Sequence, residues 1–250
     1  MPGPRPDPVA DDITQALQRV DLEAVRTAYW RQHEFVYVEE CLPRPLIERL
    51  VSEVDRVRPA VHRSYIPKRK KGGSVSYFTL REQAPATVAL YRAPALVDFL
   101  GAVTGERLLL CPERDPHACA LYFYTEPGDH IGAHYDSSYY KGARYTVLIG
   151  LIERSSSRLV CQPYRRDPGR TPVEITLATK PGTMVFFNGD TLWHWITPLG
   201  EKEERVSLTL EYVTSQDMSR VGRFVSDMKD AIAYFGFRSV LGGGRHRSGP

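Results

Sequence analysis

In the run His134-Tyr135-Asp136 an imidazole and a carboxylate stand two positions apart, and a further imidazole, His194, follows far downstream between Trp193 and Trp195. On an extended chain residues two apart share a face, so His134 and Asp136 can close on one cation while Tyr135 points away. A third ligand from a distant strand completes a set of two nitrogens and one carboxylate. Such a set suits ferrous iron and leaves the remaining octahedral positions open, which is what iron needs to take a bidentate co-substrate and dioxygen together. By itself the HxD spacing is weak, and a lone histidine in an apolar segment is more often structural than ligating. Alternation sends the indoles of Trp193 and Trp195 to the side opposite His194, where they pack.

The next chemically informative segment is Arg205-Val206-Ser207-Leu208-Thr209-Leu210-Glu211-Tyr212. Period two places Arg205, Ser207, Thr209 and Glu211 on one face and the aliphatic residues on the other. A guanidinium fork beside a hydroxyl is a receptor for a carboxylate. A dicarboxylate anchored there could chelate the iron with its other end. Glu211 and Thr209 on the same face are candidates for substrate binding, Glu211 as partner of a cationic group. The alternative for Glu211 is an ion pair with a neighbouring Arg or Lys. His130 lies an even number of positions from His134 and is a further candidate at the pocket rim, against the alternative of a structural turn histidine.

These side chains need a scaffold. From Ala118 onward short β-rich runs predict strands at Ala120 to Tyr124, Tyr145 to Ile152, Ser157 to Gln162, Val173 to Leu177, Thr183 to Phe187 and Arg205 to Val213, with Pro-Gly, Asp-Pro-Gly and Asn-Gly punctuation between them. The pattern predicts a mainly β fold, an antiparallel barrel or two-sheet jelly roll with a metal at its mouth. Before it, helical spacing runs from Ile13 to Trp30, Pro43 to Val57 and Ala84 to Leu100 (interrupted at Pro94), with a short strand at Phe35 to Val38. Lys68-Arg69-Lys70-Lys71-Gly72-Gly73 reads as a basic, flexible loop, either solvated or a lid attracting an acidic substrate or partner. Residues 1–12 read as a disordered arm, 13–240 as a single domain with its β core at about 118–214, and 241–250 as a flexible tail. Asp217 to Tyr234 has helix-compatible spacing.

Composition narrows the class. The formal charge of +3 comes from 33 basic against 30 acidic residues, too even a mixture to point to nucleic acid or a membrane surface. Cys41, Cys111, Cys119 and Cys161 lack the spacing of a disulfide framework or a zinc finger, even with His117 between two of them. A soluble protein of the reducing cytoplasm is expected, without signal peptide or membrane span.

The segments Tyr124-x-x-x-Gly128-Asp129-His130-Ile131-Gly132-Ala133-His134-Tyr135-Asp136, Pro181-Gly182-Thr183-Met184-Val185-Phe186-Phe187, His194 and Arg205-Val206-Ser207 follow one another in order. Over about Tyr122 to Tyr212 the chain resembles the iron(II) and 2-oxoglutarate dependent oxygenases, in particular their prolyl-hydroxylase-like branch. The resemblance implies a distorted double-stranded β-helix (jelly roll) with flanking α-helices. It implies His134, Asp136 and His194 as metal ligands and catalytic centre. Arg205, assisted by Ser207, would bind the distal carboxylate of 2-oxoglutarate, with Tyr122, Tyr124 and Thr146 as further candidates for the same co-substrate pocket. It also implies a dioxygenase that uses Fe(II), 2-oxoglutarate and O2, with ascorbate in a supporting role, hydroxylates a C–H bond, and releases succinate and carbon dioxide.

Departures from related patterns narrow the reaction. Radical halogenases of this type carry a small residue where Asp136 stands, and nucleic-acid demethylases carry a second arginine where Glu211 stands. Collagen-type prolyl hydroxylases usually present a lysine in place of Arg205. The remaining expectation is hydroxylation of a small metabolite, such as a free amino acid or amine-bearing compound. The alternatives are a hydroxylase of a protein side chain and a non-catalytic sensor of metal and 2-oxoglutarate.

Overall fold

The computed structural model describes residues 8–136 and 138–218. In chain order it contains helices α1 (Pro8–Gln18) and α2 (Leu22–Arg31), strand β1 (Phe35–Val38), α3 (Arg44–Val57), strands β2 (His62–Ile66) and β3 (Lys70–Val75), and helices α4 (Tyr77–Gln83), α5 (Pro85–Arg92) and α6 (Pro94–Thr104). Then come β4 (Leu109–Leu110), β5 (Cys119–Tyr124), β6 (His130–His134), β7 (Arg144–Arg154), β8 (Leu159–Gln162), β9 (Ile175–Leu177), β10 (Met184–Asn188), β11 (Trp193–Ile196) and β12 (Glu204–Val213).

The strands form one curled antiparallel sheet in the order β1-β10-β7-β12-β5-β3-β6-β11-β8-β9, with β2 on β3 and β4 on β12. Its two ends fold over each other, and side chains from β5, β7, β10 and β12 face side chains from β6, β8 and β11 across a shared interior. This is the jelly-roll core with flanking helices expected above. Strand alternation divides the apolar residues between two clusters. On β10, Met184 and Phe186 point outward to the helices, while Val185 and Phe187 point inward with Leu159, Cys161 and Ile196.

The helices cover the outer face. In α3, Leu46, Ile47, Leu50, Val54 and Val57 recur at helical spacing and join Val147, Ile149, Val206 and Leu208 of the sheet in one cluster. Buried Glu53 of α3 accepts the backbone N–H groups of Ala86 and Thr87 at 2.8 Å, closing the N-terminus of α5, where Pro85 is well suited to the first turn. The apolar stretch Pro85–Thr104 has the length and hydropathy of a membrane span, but it breaks at Ala93 into α5 and α6 and sends Leu90, Leu96, Leu100 and Val103 into this cluster. All four cysteines are free and buried.

Several expectations need correction. Residues 8–12, read as part of a disordered arm, belong to α1, where Val9 and Ile13 are buried. The helical run predicted from Ile13 to Trp30 is two helices, because the Asp21 carboxylate accepts the Ala24 N–H at 3.0 Å and starts a new one. The basic segment 68–73 is not a loop: it turns at Lys68 and becomes β3, which pairs with β2, β5 and β6. Residues 1–7, the tail 241–250 and all but the start of the helical segment Asp217 to Tyr234 lie outside the described residues.

Candidate metal and co-substrate site

The two imidazoles meet because β6 and β11 are adjacent and His134 pairs directly with His194, which brings the rings to 4.4 Å between centroids. Asp136 follows two residues beyond His134. Its Oδ1 lies 3.0 Å from His134 Nε2 and its Oδ2 3.7 Å from His194 Nε2. One ligand atom from each of the three residues lies within 4.8 Å of the others. In both histidines Nδ1 is at a backbone carbonyl, that of Gly132 at 2.9 Å for His134 and that of Leu192 at 3.2 Å for His194. A carbonyl only accepts, so Nδ1 carries a proton and donates, which turns Nε2 of each ring to the shared space; in the metal-free protein a proton on His134 Nε2 faces Asp136, and a metal would take its place. This orientation of imidazole by a second hydrogen bond is what a metal ligand requires.

Charge supports the same reading. Burial by itself would raise Asp136, but the His194 imidazole, the His134 hydrogen bond and charge, and Arg144 together hold it well below the usual carboxylate range. Burial lowers His194. Burial also pulls His134 down, but the hydrogen bond and charge of Asp136, with the Gly132 carbonyl, together outweigh it and raise its pKa. The trio therefore presents a firmly ionised carboxylate and a His194 that favours its neutral form. Thr146 Oγ1 lies 3.0 Å from Asp136 Oδ2 and 3.1 Å from Glu211 Oε2, so one hydroxyl proton serves two carboxylates.

The ligands line a cavity of about 80 Å³ with Tyr122, Tyr124, Thr146, Ser207, Thr209 and Glu211, closed by the apolar side chains of Ile131, Leu148, Leu159, Phe187 and Ile196. Arg205 does not itself line this space. It is fully buried two residues before Ser207, with its guanidinium 5.9 Å from the Tyr124 ring centre. Nη2 donates to Thr179 Oγ1 at 2.7 Å and Nη1 is 3.4 Å from Glu153 Oε2. Arg205 Nε and Nη1, and Ser207 Oγ, are buried without a hydrogen-bond partner among the described residues. Burial lowers the Arg205 pKa and Glu153 opposes it. Orphaned donors at this cost are unusual in a folded protein, and a carboxylate arriving beside them would satisfy them.

Two local features build this anchor. A bulge in β7 leaves Leu151 unpaired opposite β12, so Leu151 and Ile152 both face the helices and Glu153 turns to the Arg205 side. Gly150 beside it has no Cβ because the Thr179 carbonyl oxygen would stand 2.1 Å from one. That close approach delivers the Thr179 hydroxyl to Arg205.

No protein-family model matches this chain, and no curated protein sequence matches it. Among solved structures the likeness is extensive. The nogalamycin-biosynthesis epimerase SnoN, described as α-ketoglutarate dependent, has a TM-score of 0.63 at 16% identity, covering 76% of this chain and 81% of that one. The carbocyclase SnoK of the same biosynthesis gives 0.63 at 13%, covering 84% and 91%. A Pseudomonas putida prolyl-4-hydroxylase gives 0.59 at 19%, covering 78% and 100%. The fold is that of the iron(II) and 2-oxoglutarate oxygenases. In this fold the His134, Asp136 and His194 set occupies the sheet interior, as the sequence motifs implied.

Of the residues singled out in the sequence, the fold gathers His134, Asp136, His194, Tyr122, Tyr124, Thr146, Ser207, Thr209 and Glu211 around one cavity and puts Arg205 behind it. His130 is a correction. A bulge between Ile131 and His134 breaks the alternation that linked His130 to His134. His130 instead pairs with Lys71, and its Nδ1 is 2.8 Å from the Gly128 carbonyl in the preceding turn. Glu211 is not free to receive an amine either: Arg144 Nε donates to its Oε2 at 3.0 Å. Burial nevertheless pushes Glu211 up to about 7 against the pull of Arg144. Sequence reading passed over Arg144, Glu153, Thr179 and Gly150. Of these, only Gly150 left a visible signal, a glycine inside an apolar strand.

Proposed function

We propose that this protein is an Fe(II)- and 2-oxoglutarate-dependent oxygenase that hydroxylates a C–H bond of a small molecule. The observation that carries the reading is the convergence of two imidazole nitrogens and one ionised carboxylate within 4.8 Å, in the same interior that Arg205 backs. His134, Asp136 and His194 would hold the metal. Arg205 and Ser207, whose donors are unsatisfied, fit the distal carboxylate of 2-oxoglutarate, with Tyr122, Tyr124 and Thr146 in the walls. Bound there, iron(II), 2-oxoglutarate and O2 supply oxidative decarboxylation of the keto acid coupled to oxygenation of the substrate, with succinate and carbon dioxide as co-products.

The chain's own part is positional. Thr146 fixes the Asp136 carboxylate, and the Gly132 and Leu192 carbonyls fix the imidazoles. Ile131, Leu148, Phe187 and Ile196 keep bulk water from the reacting centre. The likeness to SnoN and SnoK supports a small-molecule substrate. The free, buried thiols accord with a reducing, cytoplasmic setting. The test is succinate release from 2-oxoglutarate under air, with a metabolite library on one arm and peptides on the other. Stimulation by small molecules but not by peptides supports the reading, and stimulation by peptides alone replaces it with protein side-chain hydroxylation.

A further inference from the structure

Lys70 separates itself from the other cations of the β2–β3 hairpin. On β3, residues 70, 72 and 74 share the cavity side: a Cβ at Gly72 would meet the Tyr124 ring at 3.8 Å, and Ser74 pairs with Tyr122. Lys71 and Arg63 point to the other side and are neutralised there. Arg63 reaches Glu126 at 2.9 Å and Asp129 at 2.7 Å, and Lys71 donates to the Pro127 carbonyl at 2.7 Å. Lys68 and Arg69 stand exposed at the turn.

Lys70 instead pairs across β6 with Ile131, a cavity residue, and its Nζ lies 4.9 Å from the ring centre of Tyr122, another cavity residue. It is half-buried, and no carboxylate or hydrogen-bond acceptor meets its ammonium among the described residues. Burial draws its pKa down to about 8. An aromatic face compensates a buried ammonium only in part. On the opposite side of the site Glu211 faces Arg144, and the free donors of Arg205 are assigned to the co-substrate carboxylate, so Lys70 is left as a cation at the rim with no counter-ion among the described residues.

We propose that Lys70 is the substrate-anion receptor of the site, holding a carboxylate or similar oxyanion of the molecule to be oxidised. The proposal rests on the oxygenase reading and sharpens its substrate class from small molecules in general to anionic ones. It also replaces an amine anchored on Glu211 with an anion anchored on β3.

The test uses the full chain loaded with iron(II) and 2-oxoglutarate without oxygen. Carboxylic acids, each paired with its own primary amide, are titrated by calorimetry into wild type, Lys70→Met and Lys70→Arg. Wild type should prefer acids over their amides by about tenfold or more, the worth of one charge-assisted hydrogen bond. Lys70→Met should lose the preference and Lys70→Arg should keep most of it, with 2-oxoglutarate affinity unchanged in both. Wild type that shows no preference for acids overturns the proposal, and that comparison decides it even where Lys70→Met fails to fold. Weakened 2-oxoglutarate binding in a folded Lys70→Met also overturns it, by assigning the ammonium to the co-substrate. The visible iron–2-oxoglutarate band in the same samples separates the two levels. With the band present and no acid preference, the Lys70 assignment alone fails; with the band absent, the oxygenase reading fails and takes Lys70 with it.

Discussion

Replacing Gly150 by alanine should damage the fold and the co-substrate anchor together. The added methyl carbon would stand 2.1 Å from the Thr179 carbonyl oxygen and 2.4 Å from that of Lys180. Ordinary contact begins at roughly 3.5 Å, so the 179–180 segment must retreat by about 1.4 Å at Thr179. Three hydrogen bonds depend on its present position: Gly150 N to Thr183 O at 3.1 Å, Gly182 N to Gly150 O at 3.0 Å, and Arg205 Nη2 to Thr179 Oγ1 at 2.7 Å. At about 1 kcal/mol each, with strain added, their loss amounts to about 3–4 kcal/mol. Urea denaturation measures this directly, with Gly169→Ala as control, since a methyl group there only touches Asp167 Oδ1 at 3.4 Å. Freed from Thr179, Arg205 should also hold 2-oxoglutarate about tenfold more weakly. A Gly150→Ala protein with both stability and 2-oxoglutarate affinity of wild type would refute the argument that this glycine exists to bring Thr179 to the guanidinium.

Thr146→Val keeps the shape of the side chain but removes the hydroxyl shared by Asp136 and Glu211. Anaerobic iron(II) titration should show affinity down by about tenfold or more, and unchanged affinity would deny Thr146 its orienting role. Glu211 provides a pH test in the metal-free protein. An acid raised from 4.5 to about 7 on folding binds its proton more tightly folded than unfolded. The stability it contributes is therefore complete below about pH 4.5 and lost as pH rises toward 7, by at most about 3 kcal/mol. Denaturation midpoints of wild type should fall relative to Glu211→Gln across that window, whereas parallel profiles would contradict the raised pKa.

How much of this the sequence announced depends on whether alternation survived. On β12 it did, so Arg205, Ser207, Thr209 and Glu211 share a face as read, and the indoles flanking His194 lie away from the cavity, Trp193 4.8 Å from the Tyr135 ring. Bulges broke it elsewhere. One in β6 took His130 out of the site, and one in β7 brought Glu153 to Arg205. Neither carries a composition signal, because an extra residue in a strand is chosen by the sheet's curvature rather than by local propensity. The hairpin β2–β3 was hidden for a different reason. Four consecutive cations resemble a solvated loop, yet in a strand alternate members face different surroundings, and here Lys71 meets Asp129 while Lys70 meets Tyr122. The ion pair of Arg144 with Glu211 spans two strands that are neighbours in the sheet but 67 positions apart in the chain, a relation that periodicity cannot show.

On the proposed function, His134, Asp136 and His194 close on one iron(II) ion with 2-oxoglutarate held from Arg205. Anaerobic titration of the metal-free protein with iron(II) and 2-oxoglutarate, followed in the visible range, tests it most directly. Wild type should give a metal-to-ligand charge-transfer band that saturates with one iron per chain, disappears in Asp136→Ala, and needs far more 2-oxoglutarate in Arg205→Met. No band in the wild-type protein, or the same band in Asp136→Ala, would contradict it.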